Sequence, residues 1–184
     1  MNISFRTPSS YLEVKNLVDF LWSQNLGYPN YDDWVLRAKS EIDGGYKTAI
    51  LAFDEGRIVG NVIYQPHKEL AGIREIKNLR VSTEIRCRKF GSFLLRQAEW
   101  VDFEAYNALM LDFRELEVEV EKMVISEGFQ IVSSKRLYDD EIDKIAVKMN
   151  RFGRVSTLAS QPSSKDGTPK GVAGSNPVPS AFLC

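Results

Sequence analysis

The hydrophobic period of the first 150 residues switches repeatedly between two residues and about 3.6, the repeats of a strand and of a helix. Few architectures accept that alternation. Short apolar runs bounded by turn residues read as strands at 3–6, 48–53, 57–65, 73–81, 108–113, 129–132 and 145–149. Asp54-Glu55-Gly56 joins two of them as a hairpin. Leu12, Val14, Leu17, Val18, Phe20 and Leu21 form a broad helical face over 11–22, behind the capping signal Ser9-Ser10. Trp34, Val35, Ala38 and Ile42 follow Asp32-Asp33 and stop at Gly44-Gly45. Phe90, Leu94, Ala98 and Val101 share one helix face. Residues 116–124 fit both periods. Their length and their Glu and Lys content assign them to a helix that Gly128 ends. The order β-α-α-β-β-β-α-β-α-β-β predicts an α/β (α+β) fold, a mixed central sheet flanked by helices.

Composition divides the chain near residue 150. From 151 to 184 there are 4 Gly, 4 Pro and 6 Ser in 34 residues, with neither period. Such a segment buries too little apolar surface to offset its ordering entropy, so 1–150 reads as one domain and 151–184 as a disordered low-complexity tail. Within it, Gly174-Ser175-Asn176-Pro177 is the peptide that the tRNA T-arm consensus encodes in one frame. A reading frame running into a tRNA gene and an ordinary low-complexity tail both account for it. Lys and Arg number 24 against 25 Asp and Glu, so overall charge counts against a nucleic-acid partner. Two cysteines, Cys87 and Cys184, and one histidine, His67, exclude a disulfide framework, a structural zinc site and a multi-histidine metal centre. No apolar run reaches the ~20 residues of a membrane helix, and the N-terminus lacks a basic-then-apolar leader. The expectation is a soluble cytoplasmic protein with no membrane association and no metal.

Charge concentrates at one place. From Arg74 to Arg96 there are seven basic residues against Glu75 and Glu84. The predicted strand ends at Val81, a loop carries Arg86, Arg88 and Lys89, and a helix starts near Phe90. Free backbone N–H groups at a helix N-terminus, backed by nearby cations, make an anion site, with phosphate as the natural guest. A solvated basic loop is the plainer reading of the same residues.

This segment resembles the main motif of the GNAT superfamily of acyl-CoA N-acyltransferases. Leu79-Arg80-Val81 is followed at the family's spacing by Arg86-Cys87-Arg88-Lys89-Phe90-Gly91 and by Leu94-Leu95. The later helix followed by Gly128-Phe129 and a strand, and the paired helices after the first strand, extend the resemblance over about 1–150. It implies that the strand ending at Val81 splays from 108–113, opening a cleft for coenzyme A. Backbone at Leu79, Arg80 and Val81 would pair with the pantetheine arm. Arg86, Cys87, Arg88, Lys89, Phe90, Gly91 and Ser92 would hold the pyrophosphate. Acetyl-CoA would be cosubstrate, and an amine would attack its thioester directly.

The sequence departs from the motif at three places. Lys89 and Cys87 stand where the family carries glycine, and Val124 stands where many members carry a thiolate-protonating Tyr. Glu75 is the candidate base for the amine and Tyr138 the remaining candidate acid. His67 reads as a loop histidine, and the acidic run Asp139-Asp140-Glu141 with Asp143 as a solvated turn. Two functions follow: an N-acetyltransferase acting on a small-molecule or peptide amine, or a catalytically weakened GNAT-fold protein that binds CoA or a protein partner without turnover. The motif does not select an acceptor, and a homodimer is compatible with it.

Overall fold

Each element forms where its local signals agree, and the order is the expected one. The computed structural model describes residues 2–24, 28–86 and 88–150. Its elements are β1 (Ile3–Arg6), α1 (Tyr11–Ser23), α2 (Tyr31–Asp43), β2 (Thr48–Asp54), β3 (Arg57–Pro66), β4 (Ile73–Val81), α3 (Phe90–Trp100), β5 (Ala108–Arg114), α4 (Val118–Ser126), β6 (Gln130–Arg136) and β7 (Ile142–Met149). Ser10 caps α1 through its side chain, which accepts from the Glu13 amide at 3.3 Å. The Glu13 carboxylate reaches back to the Ser9 amide at 2.7 Å and to Arg6, fastening β1 to the helix. The segment that fitted both periods is the helix α4, with Val120 and Val124 buried. β6 runs four residues beyond its predicted end; Ser133 to Arg136 lie on an exposed edge strand and carry no apolar signal. The predicted tail and domain boundary at 151–184 lie outside the described residues.

The strands form one sheet in the order β1-β2-β3-β4-β5-β7-β6. Every pairing is antiparallel except β4 with β5. Alternation along the strands then separates two cores. Ile76, Leu79 and Val81 of β4 and Leu109, Leu111 and Phe113 of β5 pack with Leu94 and Leu95 of α3 and Val120 and Val124 of α4. Leu51 and Ile63 pack with Leu17 and Leu21 of α1 and Trp34 and Val35 of α2 on the other side. Burial of this kind supplies roughly 25 cal/mol per Å² of apolar surface.

Two backbone positions fix how α3 meets the sheet. Gly60 of β3 leaves room for the helix: a Cβ there would stand 3.0 Å from the Arg80 carbonyl oxygen and 3.2 Å from the Leu94 side chain. Lys89 precedes α3 with φ 62°, the left-handed conformation that glycine adopts at no steric cost. The loop therefore keeps the backbone that the missing motif glycine would give, at some strain. Gly60→Ala is expected to lower stability by about 1–3 kcal/mol in urea unfolding. Lys89→Gly should raise it by about 1 kcal/mol in the same measurement, because relief of the left-handed strain exceeds the added unfolded-chain entropy.

Candidate functional site

The site begins where a strand pairing ends. β4 and β5 are in register only at Ile73 with Ala108, Arg74 with Leu109 and Glu75 with Met110. On its other side β4 is in step with β3 at Tyr64–Ile76 and again at Ile63–Asn78, which leaves Lys77 as a bulged residue. A bulge sharpens the local twist and bends its strand, here away from β5. The Ser82 amide still bonds to the Val59 carbonyl at 2.8 Å. By alternation, the peptide groups of Leu79 and Val81 then point away from β3, to the side that β5 has vacated. One of them is engaged: Arg86 Nε donates to the Val81 carbonyl at 3.2 Å.

Beside Val81 lies a cavity of about 450 Å³. Arg86 and the first turn of α3, from Lys89 to Ser92, form one wall; Glu119, Lys122 and Met123 of α4 form the other. The Phe93 amide makes the first helical bond, to the Lys89 carbonyl. The amides of Phe90, Gly91 and Ser92 precede it and have no partner within the helix, and no side chain caps it at Lys89. With Arg86, Lys89 and Lys122 set against Glu119, the pocket presents donors and net positive charge.

The structure gathers most of the predicted coenzyme residues here. Val81, Arg86, Lys89, Phe90, Gly91 and Ser92 line the cavity, while Leu79 sends its side chain into the core and offers only backbone. Arg88 is exposed beside it, and Cys87 lies outside the described residues. Arg80 turns the other way: its peptide group faces Asn61 of β3 and its side chain is buried on the α1–α2 side. Val124 lies in the core.

On the α1–α2 side of the splay is a buried polar cluster. Glu75 accepts from Lys77 Nζ at 2.9 Å and from Gln65 Nε2 at 3.1 Å, and is 5% exposed. Across the gap, Asp112 of β5 accepts from the Tyr138 hydroxyl at 2.9 Å. Burial pushes the Asp112 carboxyl up to about 7, with Lys77 opposing the shift. Burial and the neighbouring Asp112 charge push the Tyr138 phenol far above its ordinary range. Of the acidic turn expected in solvent, Asp139, Asp140 and Glu141 are exposed and Asp143 is buried; Arg114 bonds Asp139 at 2.6 and 2.7 Å and reaches Glu141 and Asp143 at 3.3 and 3.4 Å. His67 serves its own loop, its Nδ1 accepting from the amides of Glu69 and Leu70. Sequence reading passed over Asp112, Lys77 and Gln65. For Asp112 the available signal was a charge between the apolar neighbours Leu111 and Phe113, which alternation sends to the opposite face.

No family model and no curated protein sequence matches the chain. Solved structures do. A GNAT-family acetyltransferase from Streptococcus pneumoniae superposes with a TM-score of 0.63 at 17% identity, over 80% of this chain and 99% of that one. The PaiA N-acetyltransferase from Thermoplasma acidophilum, solved in complex with coenzyme A, gives 0.60 at 16% identity over 81% and 99%. The ribosomal-protein-S18-alanine N-acetyltransferase from Escherichia coli gives 0.65 at 13% identity over 81% and 94%. What these share with the chain is the path of the backbone: it has the GNAT acetyltransferase fold.

Proposed function

We infer that the protein is an N-acetyltransferase that moves an acetyl group from acetyl-CoA to an amine. The observation that carries this is the unpaired β4 edge after Glu75, running directly into the cationic N-terminus of α3. An open strand edge suits the amide-bearing pantetheine arm, and unspent helix amides with Arg86, Lys89 and Lys122 suit its pyrophosphate. For Arg86 to join them, its side chain must release the Val81 carbonyl, which then becomes available to a pantetheine amide.

The buried cluster supplies proton chemistry. Glu75 is neutralised by Lys77, whereas Asp112 has no ion pair that short and holds its proton near neutrality. Asp112 is therefore the better base, and Glu75 holds Lys77 in place. In this reading Asp112 takes a proton from the incoming ammonium. The freed nitrogen attacks the thioester carbonyl, and a β4 amide at the splay stabilises the developing oxyanion, a type of interaction worth about 3–4 kcal/mol. The carbon–sulfur bond breaks, Tyr138 gives its hydroxyl proton to the departing thiolate, and Asp112 returns a proton to Tyr138. The second amine proton leaves to water. Holding both reactants in one cleft supplies the rest.

A second reading, a CoA-binding protein without turnover, draws on Val124, which is buried where many members of the superfamily carry the acid. Thiol release with a panel of amines separates the two. Calorimetry should show acetyl-CoA binding in the micromolar range that Arg86→Ala combined with Gly91→Trp abolishes; a wild-type protein that does not bind overturns both readings.

Asp112→Asn should lower kcat about 100-fold or more. It should also change the pH dependence of folding. The Asp112 carboxyl is raised in the folded state, so its contribution is full below about pH 4, the unfolded value, and is lost as pH rises toward 7. The variant should then be more stable than wild type at pH 8 and lose that advantage at pH 4, as read by chemical unfolding at the two values.

A further inference from the structure

One side chain of β4 has no role in the transfer chemistry above and no well-formed hydrogen bond among the described residues. Arg80 is 0% exposed. None of its Nε, Nη1 and Nη2 atoms has a hydrogen-bond partner among the described residues. A buried guanidinium in that state is costly, and natural folds rarely tolerate it without a counter-ion. Among the described residues its surroundings hold no carboxylate counter-ion; the nearest acceptors are the neutral hydroxyl oxygens of Tyr31 and Tyr28. Asn78 Nδ2 and the Tyr28 hydroxyl are buried and unpartnered as well. The Tyr31 hydroxyl stands near enough to favour the Arg80 charge, yet gives its proton to the Leu21 carbonyl at 3.0 Å. Arg86 adds a second positive charge nearby. The one unpartnered acceptor in the group is the neutral Asn61 Oδ1, opposite Arg80 on β3, whose amide nitrogen is already bonded to Asn78 at 2.9 Å.

Donors converge, positive charge is uncompensated, and the site faces the same side of the sheet as Asp112 and Glu75. A planar two-oxygen anion matches the fork of a guanidinium. We propose that the acceptor is a small amino-carboxylate whose carboxylate pairs with Arg80, Asn78 and Tyr28 while its amine reaches the splay beside Asp112. The substrate class rests on the amine-acetylation reading; the anion site does not. Arg80 lies three residues beyond Lys77, roughly 10 Å along the strand, a span that the arginine side chain and a short carbon chain cover between them. The Arg80 side chain is fully buried, which suits a small molecule with a terminal carboxylate and not a threaded peptide.

The test pairs ω-amino carboxylates, from glycine to 6-aminohexanoate, with their primary amides. At the matching chain length, thiol release from acetyl-CoA should show kcat/KM for the acid at least about thirtyfold above the amide. Arg80→Met should erase that ratio, and Arg80→Lys, which keeps the charge without the fork, should retain part of it. Without acceptor, Arg80→Met should melt higher than wild type, because an uncompensated buried cation has been replaced by an apolar chain of similar length. Amides turned over as well as acids by the wild type would overturn the proposal, as would an Arg80→Met protein that melts lower and keeps the ratio. If acetyl-CoA binds but no amine turns over, titration of the same carboxylates into the CoA-saturated protein reads the anion site directly. Binding that Arg80→Met abolishes supports the site without the enzyme, and absence of binding at millimolar concentration overturns the site alone.

Discussion

Parallel pairing between β4 and β5 lasts for three residues and then stops. That limit governs the rest of the molecule. A sheet interior normally spends every peptide group on its neighbours, so a strand that leaves its partner exposes a row of donors and acceptors within the fold. The Lys77 bulge bends the strand away, and α3 with its unspent N-terminal amides sits at the far end of the opening. One backbone irregularity thus creates both an extended edge and an anion pole, and it separates an apolar face from a polar one.

The two faces follow different rules. On the α3–α4 side the contacts are apolar, aliphatic with Tyr64, Tyr106, Phe113 and Phe129 among them. On the α1–α2 side, charged and amide side chains are packed into the interior, where electrostatic interactions are strong and an unpaired group is expensive. Most of that side is settled in pairs: Glu75 with Lys77, Tyr138 with Asp112, and Arg114 with its acidic turn. These pairs sit beside an apolar core that α1 and α2 build with Leu51 and Ile63. An interior of this composition makes sense where positioning and proton affinity matter more than stability.

The sequence carried the element order completely, because the change between the two hydrophobic periods survives one-sided burial. Ser10, Gly44 and the Asp54–Gly56 turn marked boundaries through local chemistry that tertiary context did not override. The cationic side of the cleft was legible as well, since Val81, Arg86 and Phe90 to Ser92, which line one cavity, lie close together in the chain. The polar face was not. Asp112, Lys77, Gln65 and Tyr138 come from four separate segments, and only the sheet order brings them together. Arg80 was assigned to the coenzyme by its place in the motif, although strand alternation sends its side chain to the other face. The polar end of β6 was lost for the opposite reason: a strand with no buried face leaves no periodic trace.

That strand has a bearing on how the molecule behaves in a crowd. Among the described residues β6 is the last strand of the sheet on one side, with no strand paired to its outer edge. An apolar rim there would template intermolecular ladders and precipitation. Ser133, Ser134, Lys135 and Arg136 keep the rim hydrated and cationic, so that two copies approaching edge to edge repel each other, and colloidal solubility is written into the residues that contribute least to folding.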